Sequence, residues 1–377
     1  MTEPQSPDVL PVGTVVDGTY RLTRLLGQGA MGTVYEGHHT GAGKRVAVKV
    51  MHRELLAYPE LAARFRREAK VTSELDHPHV VSVFGFGATP AGQPYLVMEF
   101  LDGEDLQTHL ERVGPLPLPT VVQIVNQVAS ALAATHAAGV VHRDLKTDNV
   151  FLVRAPDGAV FAKVVDFGLS KVLKTSATKL TVARAVFGTP EFMAPEQAEG
   201  RQDAIDHRSD QWSLACLAWF ASTACLPFTG PDVNAILNQV ISADPTPVGP
   251  GAPRIPPEVD KVLRRALSKD RADRFPTIQA FARAFEAAAS GVSPAAAPNR
   301  RAPTPPRAVA IEAAQRSPAE AGEAGYERPR RRRGAGRWLA IVAALAVAIL
   351  GGAGWLLRDQ PPISTWLQRA RTVLDRR

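Results

Sequence analysis

The first part of the chain alternates apolar and polar residues around Gly and Asn/Asp turns, the period of half-buried strands. YRLTRLLG, GTVYEGHH and RVAVKVM read as three consecutive antiparallel strands, and VVSVFGFG and PYLVMEFL as two more. Between the two sets, Leu61, Phe65, Glu68, Thr72 and Leu75 recur at spacings of three and four, which predicts a helix. Beyond residue 117 the pattern is mainly helical, as in PTVVQIVNQVASALAATHAAG, with short strands near 150 and 162. The expected fold is α+β over residues 18–289, a small β-rich half followed by a larger α-rich half. Residues 1–11 are polar and proline-broken and carry no signal-peptide pattern, and 1–17 read as a flexible N-terminus.

After Ala289 the composition changes abruptly. Residues 290–337 are Ala/Pro/Arg-rich with few large apolar side chains, the composition of a disordered linker. Trp338 to Leu357 then gives twenty consecutive uncharged residues, a length that crosses a hydrocarbon core of about 30 Å. A Trp near each end suits the membrane interface, so 338–357 is expected to be a transmembrane helix. Arg328, Arg330 to Arg333 and Arg337 precede it and place its N-terminal side in the cytoplasm, although five Arg follow in the last twenty residues. Residues 358–377 are then a short extracytoplasmic tail, too small for a ligand-binding domain. Ala344, Ala348 and Gly352 recur every four residues, a stripe that would let two spans approach closely.

Charge and cysteines narrow the function classes. The net charge of +7 belongs to the tail: fifteen Arg and six acids lie from Ser290 onward, leaving 29 basic against 31 acidic residues before it. Nucleic-acid binding by the main domain therefore has no compositional support. Cys216 and Cys225 show no metal-ligand spacing and read as reduced thiols in a cytosolic core.

Three stretches carry chemistry. HRDLKTDNV, residues 142–150, sets Asp144 between the cations Arg143 and Lys146, with Asn149 five residues on. That carboxylate suits a general base, a metal ligand or a loop ion pair, and these nine residues leave all three open. Gly27, Gly29, Gly32 and Val34 form G-x-G-x-x-G-x-V, joining strand to strand rather than strand to helix. Such a hairpin either lies over phosphates with its N–H groups facing them or is purely structural. Lys49 sits inside the apolar strand VAVKV, which is costly unless its ammonium meets an anion. Glu68, on the helix face shared with Phe65 and Leu75, is its natural partner.

Together the glycine loop, VAVK, HRDLKTDN, DFG (166–168) and APE (194–196) resemble, in order and approximate spacing, the signature of Hanks-type (eukaryotic-like) Ser/Thr protein kinases. The resemblance covers about residues 18–289 and is nearest in flavour to bacterial membrane-anchored members. It implies a bilobal protein-kinase fold, phosphoryl transfer from ATP to protein Ser/Thr hydroxyls, and a plasma-membrane location with the kinase domain in the cytoplasm. It implies that Asp144 accepts or orients the substrate proton, that Lys146 steadies the γ-phosphate, and that Asn149 and Asp166 hold Mg²⁺, with Mn²⁺ as an alternative ion.

The ATP site it implies comprises Leu26, Gly27, Gln28, Gly29, Ala30, Met31, Gly32, Thr33, Val34, Ala47 and Lys49, with Glu99 and Leu101 at the hinge and Met98 as gatekeeper. In support stand Glu68 paired with Lys49, Thr189 in the docking loop, Asp210 bracing the catalytic loop, and Glu196 paired with Arg274. Arg143 marks the subclass whose activation loop is phosphorylated. Thr181 is the expected activating site and Thr178 the runner-up, in a loop bearing Lys171, Lys174, Lys179 and Arg184. Thr147 replaces a common Pro and Ala215 a common Gly, and neither is expected to touch the chemistry.

The implied partners are ATP, protein substrates and one membrane crossing, without nucleic acid. A homodimer through the kinase domain or the transmembrane helix is a further expectation. The alternative is an inactive membrane scaffold, which would require loss of Lys49, Asp144, Asn149 or Asp166; all four are present.

Overall fold

A computed structural model describes residues 9–29, 32–53, 65–66, 69–154, 159–167, 190–246 and 255–291. The β-rich half is a six-stranded antiparallel sheet with strand order β1-β2-β3-β4-β6-β5. Its strands are β1 (Val15–Val16), β2 (Tyr20–Gly29), β3 (Gly32–His39), β4 (Arg45–Met51), β5 (Val83–Ala88) and β6 (Pro94–Glu99). Ordered sheet thus begins inside the stretch read as a flexible terminus. Val15 pairs with Arg21 and Val16 with Tyr20, because Val16 buries its side chain in the sheet's apolar cluster. Two residues are too few to show a period, so the sequence pattern could not disclose this strand.

β4 explains why Lys49 points where it does. Successive side chains of a strand face opposite sides. Val46, Val48 and Val50 join Leu22, Tyr35 and Val97 on one face. Ala47 and Met51 pack on the other, against Met98 and Phe65 respectively, and Lys49 lies between them in sequence on that second face. Residues 65–66 and 69–73 are helical, within the span where the three-and-four spacing predicts a helix.

The helical half opens with a three-stranded sheet, β7 (Gly103–Asp105), β8 (Val150–Arg154) and β9 (Val160–Val164). Helix α1 (Leu106–Val113) is N-capped by Asp105, whose carboxylate accepts from the Thr108 N–H at 2.8 Å. The remaining helices are α2 (Leu118–Ala137), α3 (Pro195–Ala198), α4 (His207–Thr223), α5 (Val233–Ser242), α6 (Pro257–Ala266) and α7 (Ile278–Ala289). Among the described residues, α2 alone has the length and apolarity of a membrane span. It buries Ile124, Val128 and Leu132 in the same core as Trp212, Trp219 and Phe281, which accounts for its composition. The expected span at 338–357 lies outside the described residues.

The halves are joined at β9. The Val81 N–H donates to the Val164 carbonyl at 3.0 Å, and the Val164 N–H donates to the His79 carbonyl at 2.8 Å. These bonds carry the sheet directly onto the strand that leads to Asp166.

Candidate active site

A cavity of about 570 Å³ opens between the six-stranded sheet and the helical half. Of the expected nucleotide residues, Leu26, Gly27, Val34, Ala47, Glu99 and Leu101 line it, together with Met98, Val165 and Asp166. Gln28, Gly29, Gly32 and Thr33 continue the hairpin beyond that lining, in the register Gly27↔Val34, Gln28↔Thr33 and Gly29↔Gly32. Ala30 and Met31, at its tip, lie outside the described residues. The glycines differ in kind. A Cβ on Gly32 would fall 2.3 Å from the Val50 carbonyl oxygen, so that glycine is needed for the approach of β4. A Cβ on Gly27 would meet nothing within 4 Å, which leaves that stretch open to a ligand.

Within the described residues the Lys49 ammonium reaches the carboxylate of Asp166, Nζ to Oδ2 at 2.7 Å, and the lysine is buried. This pair supplies the anion that a lysine inside an apolar strand requires. Glu68, the partner expected from the helix, lies outside the described residues, as do Gly168, Thr178, Thr181 and Thr189.

Asp144 and Asn149 are brought to Asp166 by a chain of hydrogen bonds. The Asn149 side-chain amide donates to the Asp144 carbonyl at 2.7 Å, and the Val165 N–H donates to the Asn149 carbonyl at 3.0 Å. With its nitrogen so engaged, the Asn149 amide keeps its oxygen as the acceptor available to an ion. His142 completes the stitching: Nε2 bonds the Val165 carbonyl at 3.0 Å, and Nδ1 accepts from the Asp144 N–H at 3.3 Å. A carbonyl only accepts, so the pairing places the ring proton on Nε2. Arg143 and Asp166 both adopt left-handed backbone, with φ of 67° and 61°. Such strain costs on the order of 1–3 kcal/mol per residue and persists only where surroundings enforce it.

Asp210 is one of the groups that enforce it. Fully buried, its carboxylate accepts from the His142 N–H at 2.9 Å, the Arg143 N–H at 2.8 Å and His136 Nε2 at 2.7 Å. Burial pushes its pKa up, but His136 and the backbone donors outweigh burial and hold it below the usual carboxylate range. Glu196 meets Arg274 in two parallel bonds of 3.0 and 2.9 Å and also accepts from Ser209 Oγ at 2.6 Å. Here too burial raises the pKa, and the Arg274 and Ser209 donors lower it further than burial raises it.

Several positions carry more than the sequence showed. Thr147 is buried and donates its hydroxyl to Gln107 Oε1 at 2.6 Å, tying the loop to α1. Lys146 lies 3.5 Å from the Asp148 carboxylate. The Glu99 carboxylate accepts from Lys163 Nζ at 2.6 Å and from the Ser82 N–H at 2.7 Å, which fixes the hinge to β9. Lys163 carried a signal, because it stands in the apolar run VFAKVV just as Lys49 stands in VAVKV. His136 had no such signal.

Among the described residues no group of three or more His, Cys, Asp and Glu side chains is placed to hold a metal ion. Asn149 and Asp166 offer only oxygen donors and few of them. That suits Mg²⁺, which keeps waters and phosphate oxygens in most of its coordination positions.

The protein kinase domain model matches residues 20–285. Serine/threonine-protein kinase Pkn1 of Myxococcus xanthus is 43% identical over 278 residues, 74% of this chain and 39% of that protein. Serine/threonine-protein kinase PknA of Mycobacterium tuberculosis is 36% identical over 307 residues, 80% of this chain and 68% of that protein. The crystal structure of the Mycobacterium tuberculosis PknI kinase domain superposes with a TM-score of 0.56 at 30% identity, covering 74% of this chain and 99% of that one. The matched region spans only 39%, 50% and 34% of three Myxococcus xanthus kinases. The match takes in the glycine hairpin, the loop around Asp144 and the Glu196–Arg274 pair alike, and the chain belongs to the protein kinase family.

Proposed function

We propose that this chain is an ATP-dependent Ser/Thr protein kinase. The observation that carries the reading is the convergence of Asp144, Asn149 and Asp166 through the Asn149 and Val165 bonds, with Asp166 lining a cleft able to hold a nucleotide. The adenine end of ATP would lie between Val34 and Ala47 above and Val165 below, with the backbone of Glu99 and Leu101 at its edge. Lys49 provides the buried cation for the phosphates. Asn149 and Asp166 would hold Mg²⁺, which when bound neutralises phosphate charge.

In the reaction the substrate hydroxyl oxygen bonds to the γ-phosphorus while the bond from that phosphorus to the ADP oxygen breaks. Asp144 orients the hydroxyl and takes its proton, and Lys146 balances charge on the phosphoryl oxygens. Little covalent help is needed, so positioning dominates the rate. The Asp210 and His142 bonds serve that positioning.

Two further parts of the reading rest on sequence. Thr181 is proposed as the activating phosphosite, with Thr178 as second choice, because a phosphate there adds about −1.5 to −2 charges amid several cations of the same loop. Trp338 to Leu357 is proposed as a single membrane crossing that leaves the kinase domain in the cytoplasm, where ATP is. The full 377-residue chain, incubated with γ-labelled ATP, Mg²⁺ and a basic protein substrate, tests the activity. Label on Ser and Thr is expected; no transfer to any residue would overturn the reading.

A further inference from the structure

Gln197, the residue after the APE motif, occupies a place that no motif assigns. It is 8% exposed, and both ends of its amide are used. Oε1 accepts from the Ala194 N–H at 3.1 Å, closing the N-terminus of the four-residue helix α3. Nε2 donates to the Arg143 carbonyl at 2.8 Å, across 54 residues of sequence. Arg143 is the residue with φ of 67° whose N–H is held by Asp210 and whose neighbour is Asp144. One side chain therefore spans from the segment after the docking loop to the strained peptide beside the proposed base.

Other contacts fix the same segment from behind. Ser213 Oγ donates to the Phe192 carbonyl at 2.8 Å, and Glu196 is gripped by Arg274 and Ser209. Those bonds hold residues 192–196 to α4 and to the loop before α7. None of them reaches Asp144. Gln197, Phe192 and Met193 line a small cleft together with Asp144 and Lys146, so the amide stands at the junction of the two segments.

We propose that Gln197 is a positioning residue for the phosphoryl acceptor: its amide sets the distance between the segment carrying the substrate side and the loop carrying Asp144. The proposal rests on the kinase reading above. It separates two functions of the proposed active site. The residues expected to hold the nucleotide, Leu26, Val34, Ala47 and the hinge, line the large cavity, whereas Gln197 lines the separate small cleft with Asp144. Loss of the bridge therefore acts on the acceptor and leaves ATP binding as it was. A misplacement of about 1 Å at a reacting pair can cost on the order of 100-fold in rate.

The test uses the full chain and a peptide acceptor, with kinetic constants for ATP and peptide measured separately. Gln197→Met removes both hydrogen bonds while keeping length and bulk. The expected result is a fall of about 10- to 100-fold in kcat/KM for the peptide, with KM for ATP within about twofold of the parent. Gln197→Glu distinguishes the bridge from the helix cap. It keeps an oxygen to accept from Ala194, but once ionised it has no proton for the Arg143 carbonyl. Its peptide kcat/KM, relative to the parent, should fall as pH rises and the carboxyl ionises. A purely structural role would lower thermal stability without moving that ratio. Parent-like peptide constants in Gln197→Glu across the pH range, or a rise in the KM for ATP of Gln197→Met as large as its loss in peptide kcat/KM, would overturn the proposal. If the parent itself transfers no phosphate, the kinase reading fails instead.

Discussion

Apart from the pairing of buried Lys49 with Asp166 and the Glu99–Lys163 pair, the described residues of the six-stranded sheet have one charged cluster, which opens to water. Glu36 on β3, its own side chain 11% exposed, bridges Arg24 and Arg45, whose side chains are 64% and 47% exposed. In the helical half Glu196 meets Arg274 with side-chain exposures of 2% and 0%. The two arrangements are chemically alike and physically different. A pair whose cations lie in water is largely screened and contributes about 0–1 kcal/mol. Removing one partner of a buried pair strands the other charge and costs about 3–5 kcal/mol. The sheet is therefore held by its backbone ladder and apolar clusters, whereas the loops around Asp144 depend on buried polar side chains. The nucleotide roof can vary its surface charge freely; the frame beneath the proposed base cannot.

The largest effect expected from this contrast is on Arg274→Met. It strands Glu196 and three carbonyls, those of Ser268, Arg208 and Lys269. A loss of about 3–5 kcal/mol is predicted, seen as a fall in Tm on the order of 10 °C. The same pair has an acid limb. The folded pKa of Glu196 lies below the ordinary unfolded value. Its stabilisation is thus complete above about pH 4.3 and is lost as pH falls through the lower folded value. Thermal melts from about pH 6 down to about pH 3 should therefore show a steeper acid loss in the parent than in Glu196→Gln. Equal slopes would mean that the pair is not coupled to folding.

A middle-sized effect belongs to the hinge. Lys163→Met removes a charge-assisted bond to Glu99, worth about 1.5–3 kcal/mol. Nucleotide affinity measured by titration should weaken by about tenfold. Unchanged affinity would leave the hinge to the Ser82 N–H alone. The smallest effect is predicted for Glu36→Gln, at under about 1 kcal/mol in a denaturant titration. A loss matching that of Arg274→Met would erase the contrast between the halves.

What the sequence disclosed follows the same division. Asp144, Asn149 and Asp166 were legible because they stand in short motifs whose spacing is local, whereas the Glu196–Arg274 pair, 78 residues apart, was legible only through the family resemblance. The order of a β-rich half before a helical half was legible from period, and its bilobal kinase form came from the resemblance. The two-residue β1 and the three-residue β7 were not, since no period fits in so few positions. The bonds of Asp210 to His136, of Glu99 to Lys163 and of Gln197 to Arg143 cross 74, 64 and 54 residues. Only the fold brings such partners together. Lys163 alone among them carried a warning, as a cation in an apolar strand. Thr147 shows the converse: a departure from the family pattern, neutral by sequence, whose hydroxyl bonds Gln107 in the folded chain.

The central claim is that Asp144, on its buried polar frame, promotes phosphoryl transfer and does not hold the fold or the nucleotide. Asp144→Asn in the full chain tests it most directly, with phosphate transfer, ATP affinity and Tm measured on one preparation. Transfer should fall by about 10²- to 10⁴-fold, the usual contribution of a positioned base, while ATP affinity and Tm stay near those of the parent. Transfer equal to the parent's, with contaminating kinase excluded, would contradict the account.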